Sequence, residues 1–288
     1  MSKKNIFNPP TPVENYFLNH SKLDFCYDPD EKIPVIQVNN FPNLGQLTAL
    51  RFLEWVQNNP EGVVSLPTGK TPEYFIRYAE HYLKHWEDKS TSAFLEEVGF
   101  DHSRKPRLQN LQFVQIDEFF PISPTQHNSF FDYVMKYYIN GFGISAERAQ
   151  LIDATQIILP QGKTYNEIFP DDVVDLSLRF SQPNTTKGRL QKEAIEGIDE
   201  FCTDYERRIR EKGGLGFFLG GIGPDGHIAF NVRGSDYFST TRLTPTNFET
   251  QAAAAGDLGG IEVSQKRLVI TIGLQTISYN PDATCLIF

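Results

Sequence analysis

The chain has 288 residues, 40% of them hydrophobic and 13% aromatic, which is enough apolar material for one large core or two small ones. Its formal charge of −9 lacks the basic footprint that nucleic acid or an anionic membrane surface requires, so an anionic ligand must be held by local amides and a few cations. The cysteines, Cys26, Cys202 and Cys285, are widely spaced and fit neither a disulfide framework nor a zinc knuckle, which points to a reducing cytoplasm, and no apolar stretch approaches the roughly 20 residues that span a bilayer.

Residues 1–40 are rich in Asn, Pro and Asp without a sustained period and read as an arm lying on the surface or against a neighbour. Leu47, Leu50, Leu53 and Val56 fall at helical spacing and predict a helix over 44–57, stopped near Asn58-Asn59-Pro60. Helix and strand patterns then alternate: strand 62–66, helix 72–86, a charged helix near 91–98, strand 111–116, helix 129–139 and strand 148–152. Such alternation predicts an α/β fold with a mostly parallel, doubly wound, Rossmann-like sheet and helices on both faces. Residues 154–195, with Pro160, Pro170 and Pro183, break the pattern. A helix over 195–212 leads through Gly213-Gly214 into an apolar strand, Leu215 to Leu219, and 267–272 is a further β-branched strand. The final residues 283–288 read as a buried strand with no helix after it.

Three strand ends carry chemistry. The strand at Val63-Val64-Ser65 breaks into Leu66-Pro67-Thr68-Gly69-Lys70-Thr71-Pro72 ahead of a helix, and amides at such a turn favour an anion. Thr68, Gly69, Lys70 and Thr71 are therefore candidate phosphate ligands. The strand at Phe113-Val114-Gln115-Ile116 runs into the paired carboxylates Asp117 and Glu118. The strand ending at Leu219 delivers Gly220-Gly221-Ile222-Gly223-Pro224-Asp225-Gly226-His227, an acid and an imidazole two residues apart in a glycine loop. Gly221, Gly223 and Gly226 count with Glu118 as candidate substrate contacts. Taken singly, Asp225 and His227 also read as a turn aspartate and a capped histidine, and Asp117-Glu118 as a helix N-terminal charge pair. A nucleotide P-loop is excluded because Val64 stands where its first glycine belongs. The GxGxxG spelled by Gly221, Gly223 and Gly226 does not suit a dinucleotide, since Pro224 and Asp225 would crowd the pyrophosphate with a ring and a negative charge.

These motifs, Leu66 to Gly69 with Thr71-Pro72, Asp117-Glu118-Phe119 with His127-Asn128-Ser129, and Gly220 to Asn231, resemble the glucosamine-6-phosphate deaminase/isomerase family, whose superfamily includes 6-phosphogluconolactonase. They follow the family's order and cover most of residues 60–280. The resemblance implies a phosphorylated amino sugar as substrate, a homo-oligomer, and no metal or organic cofactor. It implies Asp117 as general base between C2 and C1, His227 as the group that opens the ring, and Asp225 as a neighbour that orients the imidazole or contacts the sugar. Against the family, residues 154–195 look like an insertion of about forty residues, a length that is often functional or interfacial. The family glutamate after the position of Asn231 is Val232 here, an arginine that helps bind phosphate falls near Gly256, and Thr244 replaces a lysine of allosterically regulated members. The family also continues past the strand at 283–288 with a phosphate-contacting lysine and a closing helix, so a fragment or a short form is expected. Two alternatives stay open: a divergent sugar-phosphate binder without turnover, and a lactone hydrolase using His227 as base.

Overall fold

The computed structural model describes residues 10–21 and 33–288; the rest of the expected arm, with Cys26, lies outside the described residues. The stretch that reads as aperiodic holds a helix, α1 (Pro12–His20), started by a capping box between Thr11 and Glu14. Its Val13 and Phe17 are buried in the main core. Nine residues give too few turns for a period to stand out, so the cap is the only local signal.

From there the alternation follows the chain. Asn40 caps α2 (Phe41–Asn58), which buries Leu47, Leu50, Leu53 and Val56 along one stripe. After β1 (Val63–Ser65) come α3 (Glu73–Lys84), burying Phe75, Ile76, Ala79 and Tyr82, and α4 (Lys89–Val98). Then follow β2 (Gln112–Val114), β3 (Asp117–Phe120) and α5 (Phe130–Val134), which continues into a π-helical turn over Met135–Gly141. Beyond β4 (Ala149–Gln150) and α6 (Tyr165–Ile168) runs the long α7 (Thr186–Glu211). The last elements are β5 (Phe217–Gly220), β6 (Arg242–Pro245), α8 (Phe248–Leu258), α9 (Ile261–Ser264), β7 (Leu268–Thr271), α10 (Leu274–Ser278) and β8 (Thr284–Ile287).

The main sheet is parallel throughout, in the order β4-β2-β1-β5-β8. Both its faces are covered, and alternate residues report it. Val64, Phe113, Phe217 and Leu219 pack into the core with α1–α4, whereas Val63, Val114 and Phe218 pack with Ile198, Cys202, Tyr205 and Ile209 of α7. Among the described residues no helix is long and apolar enough to cross a membrane.

Three readings need correction. The strand over 267–272, here β7, is not in the parallel sheet; it pairs antiparallel with β3 and β6 in a second, three-stranded sheet. The chain changes sheets at Gln115, which is fully buried. Its Nε2 donates to the Asp117 carbonyl at 2.9 Å and its Oε1 accepts from the Ile152 amide at 2.9 Å. The helix read over 195–212 starts at Thr186, because Thr185 caps it by accepting from the Gly188 amide at 3.0 Å. Residues upstream of it are not loose: Ile168 and Phe169 bury against Ala194 and Ile195, and Arg179 grips Asp199 through two hydrogen bonds of 2.8 and 2.6 Å. Finally, β8 is an edge strand with Cys285 and Ile287 exposed, not a buried one.

Candidate active site

Past the C-terminal ends of β1 and β5 lies a cavity of about 730 Å³. The turn after β1 supplies Gly69 and Lys70 to its wall, and the loop after β5 supplies Pro224, His227 and Phe230. His127, Asn128, Phe130, Tyr133 and Tyr137 close one side; Thr250, Ala253, Ala254, Gly256 and Asp257 of α8 close another. This is where an open α/β sheet binds ligands.

In the β1 turn, the amides of Thr68, Gly69, Lys70 and Thr71 donate to no backbone carbonyl among the described residues. The turn is held instead from its base, where the Tyr138 hydroxyl donates to the Pro67 carbonyl. Lys70 reaches across the mouth to Asp257, 3.7 Å away, with both side chains exposed. Thr68 is half-buried and Thr71 exposed.

The β5 loop is fixed by its own backbone. The Gly223 amide donates to the His227 carbonyl and the Gly226 amide to the Gly223 carbonyl, both at 2.9 Å, and Gly226 takes the positive φ of 82° that this tight turn needs. His227 lies flat over Gly223: a Cβ there would come within 2.1 Å of the imidazole Cε1. The ring also stacks on Phe230, 5.6 Å between centroids. His227 Nδ1 is 2.5 Å from Asp225 Oδ1, and Nε2 has no hydrogen-bond partner among the described residues. Burial pushes the Asp225 carboxyl up, but hydrogen bonds from His227, its own amide and Asn247, with the charge of His227, outweigh it and hold the pKa below the ordinary carboxylate value. Gly221, Gly223 and Gly226 thus shape the loop and do not line the cavity.

The two carboxylates of β3 have separate fates. Glu118 is 1% exposed and turns its oxygens toward the start of α5, accepting from the amides of Phe119, Phe130 and Phe131 at 3.0, 3.0 and 2.7 Å. Burial outweighs these donors and pushes its pKa up to about 7. Asp117 is 7% exposed, and its carboxylate has no hydrogen-bond or ion-pair partner among the described residues. Burial first, and the neighbouring Glu118 charge second, raise its pKa well above the ordinary value. Neither carboxylate is among the cavity's lining groups. What brings Asp117 toward the histidine loop is β7: Asp117 pairs with Thr271, whose Oγ1 accepts from the Phe230 amide at 3.1 Å, and Asn231 Nδ2 donates to the Ile272 carbonyl at 2.9 Å.

Three groups in or behind the wall were not named as candidate site residues from the sequence, Asn128 appearing there only within the His127-Asn128-Ser129 motif. Thr250 Oγ1 and Asn128 Oδ1 are buried without a partner among the described residues, although Asn128 Nδ2 donates to the Asp257 carbonyl. Asn247 caps α8 and touches Asp225. The signal for the first and third was an Asn ahead of an Ala-rich helical stretch, obscured by Gly256, Gly259 and Gly260.

A parallel, doubly covered sheet with its cavity beyond the strand ends is the Rossmann-like α/β class. No family model matches the chain. Its sequence is related to curated glucosamine-6-phosphate deaminases: it is 47% identical over 141 residues to the one from Caenorhabditis elegans, a match covering 49% of this chain and 52% of that protein. The chain therefore spans about half the length of that relative. Among solved structures, a monomeric glucosamine-6-phosphate deaminase superposes with a TM-score of 0.59 at 22% identity, covering 88% of this chain and 81% of that one. A 6-phosphogluconolactonase from Leishmania guyanensis gives 0.52 at 15% identity, covering 88% and 81%. At those identities the two structures show the fold, and the expected resemblance to the deaminase/isomerase family rests on the sequence relatives.

Proposed function

We propose that this chain converts glucosamine 6-phosphate and water to fructose 6-phosphate and ammonia. The observation that carries the reading is the Asp225–His227 pair, whose histidine lines a cavity also lined by Gly69 and Lys70, whose amides donate to no backbone carbonyl among the described residues. The substrate phosphate sits on Thr68, Gly69, Lys70 and Thr71. His227 moves a proton from the C1 hydroxyl to the ring oxygen, opening the ring. Asp117 then takes the C2 proton, forming an enolamine, and returns a proton to C1. The resulting ketose imine adds water at C2 and expels ammonia. A carboxyl of raised pKa holds a proton more readily than an ordinary carboxylate, which suits a group that must both accept and return one. The mechanism calls for no metal or organic cofactor. A cytoplasmic, homo-oligomeric protein is part of the same proposal.

One observation favours a second reading, a sugar-phosphate binder without turnover: Asp117 is buried and is not among the residues that line the cavity. The deciding experiment measures ammonia and fructose 6-phosphate formed from glucosamine 6-phosphate by the wild-type chain, with Asp117→Asn as the blank. Product that disappears in the variant supports deamination. Thermal stabilisation by the sugar phosphate without product supports the binder, and acid release from 6-phosphogluconolactone supports the hydrolase.

A further inference from the structure

The Asn247 side chain makes two contacts at once. Its Oδ1 accepts from the Thr250 amide at 3.0 Å, capping α8, while its Nδ2 donates to Asp225 Oδ2 at 2.5 Å. The other Asp225 oxygen is the one held against His227 Nδ1. Both oxygens of this carboxylate are therefore gripped, one by the amide of Asn247 and one by the imidazole. Among the described residues, Asp225 and His227 pair with no further charged side chain.

A carboxylate that faces Nδ1 fixes the proton on that nitrogen and leaves the Nε2 lone pair directed away from it. The fixation is only as firm as the carboxylate itself. Asp225 sits in a glycine loop, between Gly223 and Gly226, and among the described residues the loop backbone holds its side chain only through Asp225's own amide. A second anchor comes from another element, the first turn of α8. That helix also contributes Thr250, Ala253, Ala254, Gly256 and Asp257 to the cavity.

We infer that Asn247 is a positioning residue for the Asp225–His227 pair: it ties the orientation and tautomer of the imidazole to α8, so that the histidine and the far wall of the cavity move as one body. The turnover part of its test rests on the deaminase reading; the spectroscopic part does not.

Serine and aspartate are both good helix caps, so Asn247→Ser and Asn247→Asp keep the start of α8. Serine is too short to reach Asp225. Aspartate places a second carboxylate against it. Nitrogen-15 NMR of the His227 imidazole, titrated in the wild-type chain and both variants alongside thermal unfolding, separates the two roles of the residue. In Asn247→Asp the donor to Asp225 Oδ2 is replaced by a second carboxylate, and the hold on His227 Nδ1 is expected to change, read as a change in the fraction protonated on that nitrogen. In Asn247→Ser the fraction of His227 protonated on Nδ1 falls, and turnover of glucosamine 6-phosphate drops about tenfold at unchanged Tm, the scale seen when a group supporting a site residue is removed. The same fraction protonated on Nδ1 in all three proteins would leave Asn247 as a helix cap only and overturn the inference. If the wild-type chain shows no turnover, the deaminase reading fails, and the imidazole titration still decides the role of Asn247.

Discussion

Asp117 and Asp225 are one side chain in opposite settings. Asp225 has a partner for each oxygen and is held below the ordinary carboxylate range; Asp117 has none among the described residues and is raised well above it. Under the proposed mechanism the contrast fits two different tasks: a carboxylate that stays charged orients and polarises, while one poised to take a proton can shuttle it. Glu118, adjacent in sequence, belongs to neither role, because its oxygens are spent on backbone amides.

The largest expected effect tests the Asp117 side of this contrast. Asp117→Asn should lower kcat by about a thousandfold, within the range of a lost general base, with sugar-phosphate affinity kept within a few fold. Because Asp117 must be ionised to act and burial raises its pKa, the rising limb of the wild-type kcat profile should lie above the usual carboxylate range. A limb near pH 4 would remove Asp117 from the role.

Glu118 separates structure from chemistry through stability. Its folded pKa of about 7 exceeds the unfolded 4.5, so the native state binds the extra proton between these values, and stability contributed by Glu118 is present below pH 4.5 and lost as the pH rises through 7. The difference in unfolding free energy between wild type and Glu118→Gln should therefore change by about 3 kcal/mol across that window and be flat above it. Denaturant melts at several pH values read it directly, and a flat difference throughout would show that Glu118 is not held in this way.

On the Asp225 side, Gly223→Ala forces the imidazole off its seat, since the new Cβ would overlap the ring. A displacement of that kind should cost about a hundredfold in turnover. Turnover equal to wild type would mean that the imidazole need not lie over Gly223. The smallest effect belongs to the phosphate turn: Lys70→Ala removes an exposed cation and should raise KM about tenfold, the scale of a charge-assisted hydrogen bond, with kcat little changed.

The parts that sequence made legible are those where one local rule acted alone. The β1 turn has a proline at the end of an apolar run, and the β5 loop has glycines and polar residues crowded after one, so both can be read without tertiary knowledge. The second sheet could not be read this way. Asp117-Glu118-Phe119-Phe120 has no alternation, and only pairing with Thr271 to Leu268 makes it a strand. The burial of Asp117 is likewise a product of β3 and β7 meeting. The grip of Asn247 on Asp225 spans 22 residues and leaves no periodic trace. The cavity's α8 wall was hidden because alanine and glycine carry little hydrophobic pattern even where they form a helix.

The small antiparallel sheet has a consequence for how this molecule fails. The sheet has three strands with β3 and β6 at its edges, while β1 and β5 lie inside the five-stranded parallel sheet with its two covered faces. Edge strands paired on one side open at lower free energy than strands inside a covered sheet. On heating, Asp117 should therefore lose its place while the Gly69–Lys70 turn is still folded. Catalytic inactivation would then precede melting, and amides of β3 and β6 would exchange with solvent before those of β1 and β5.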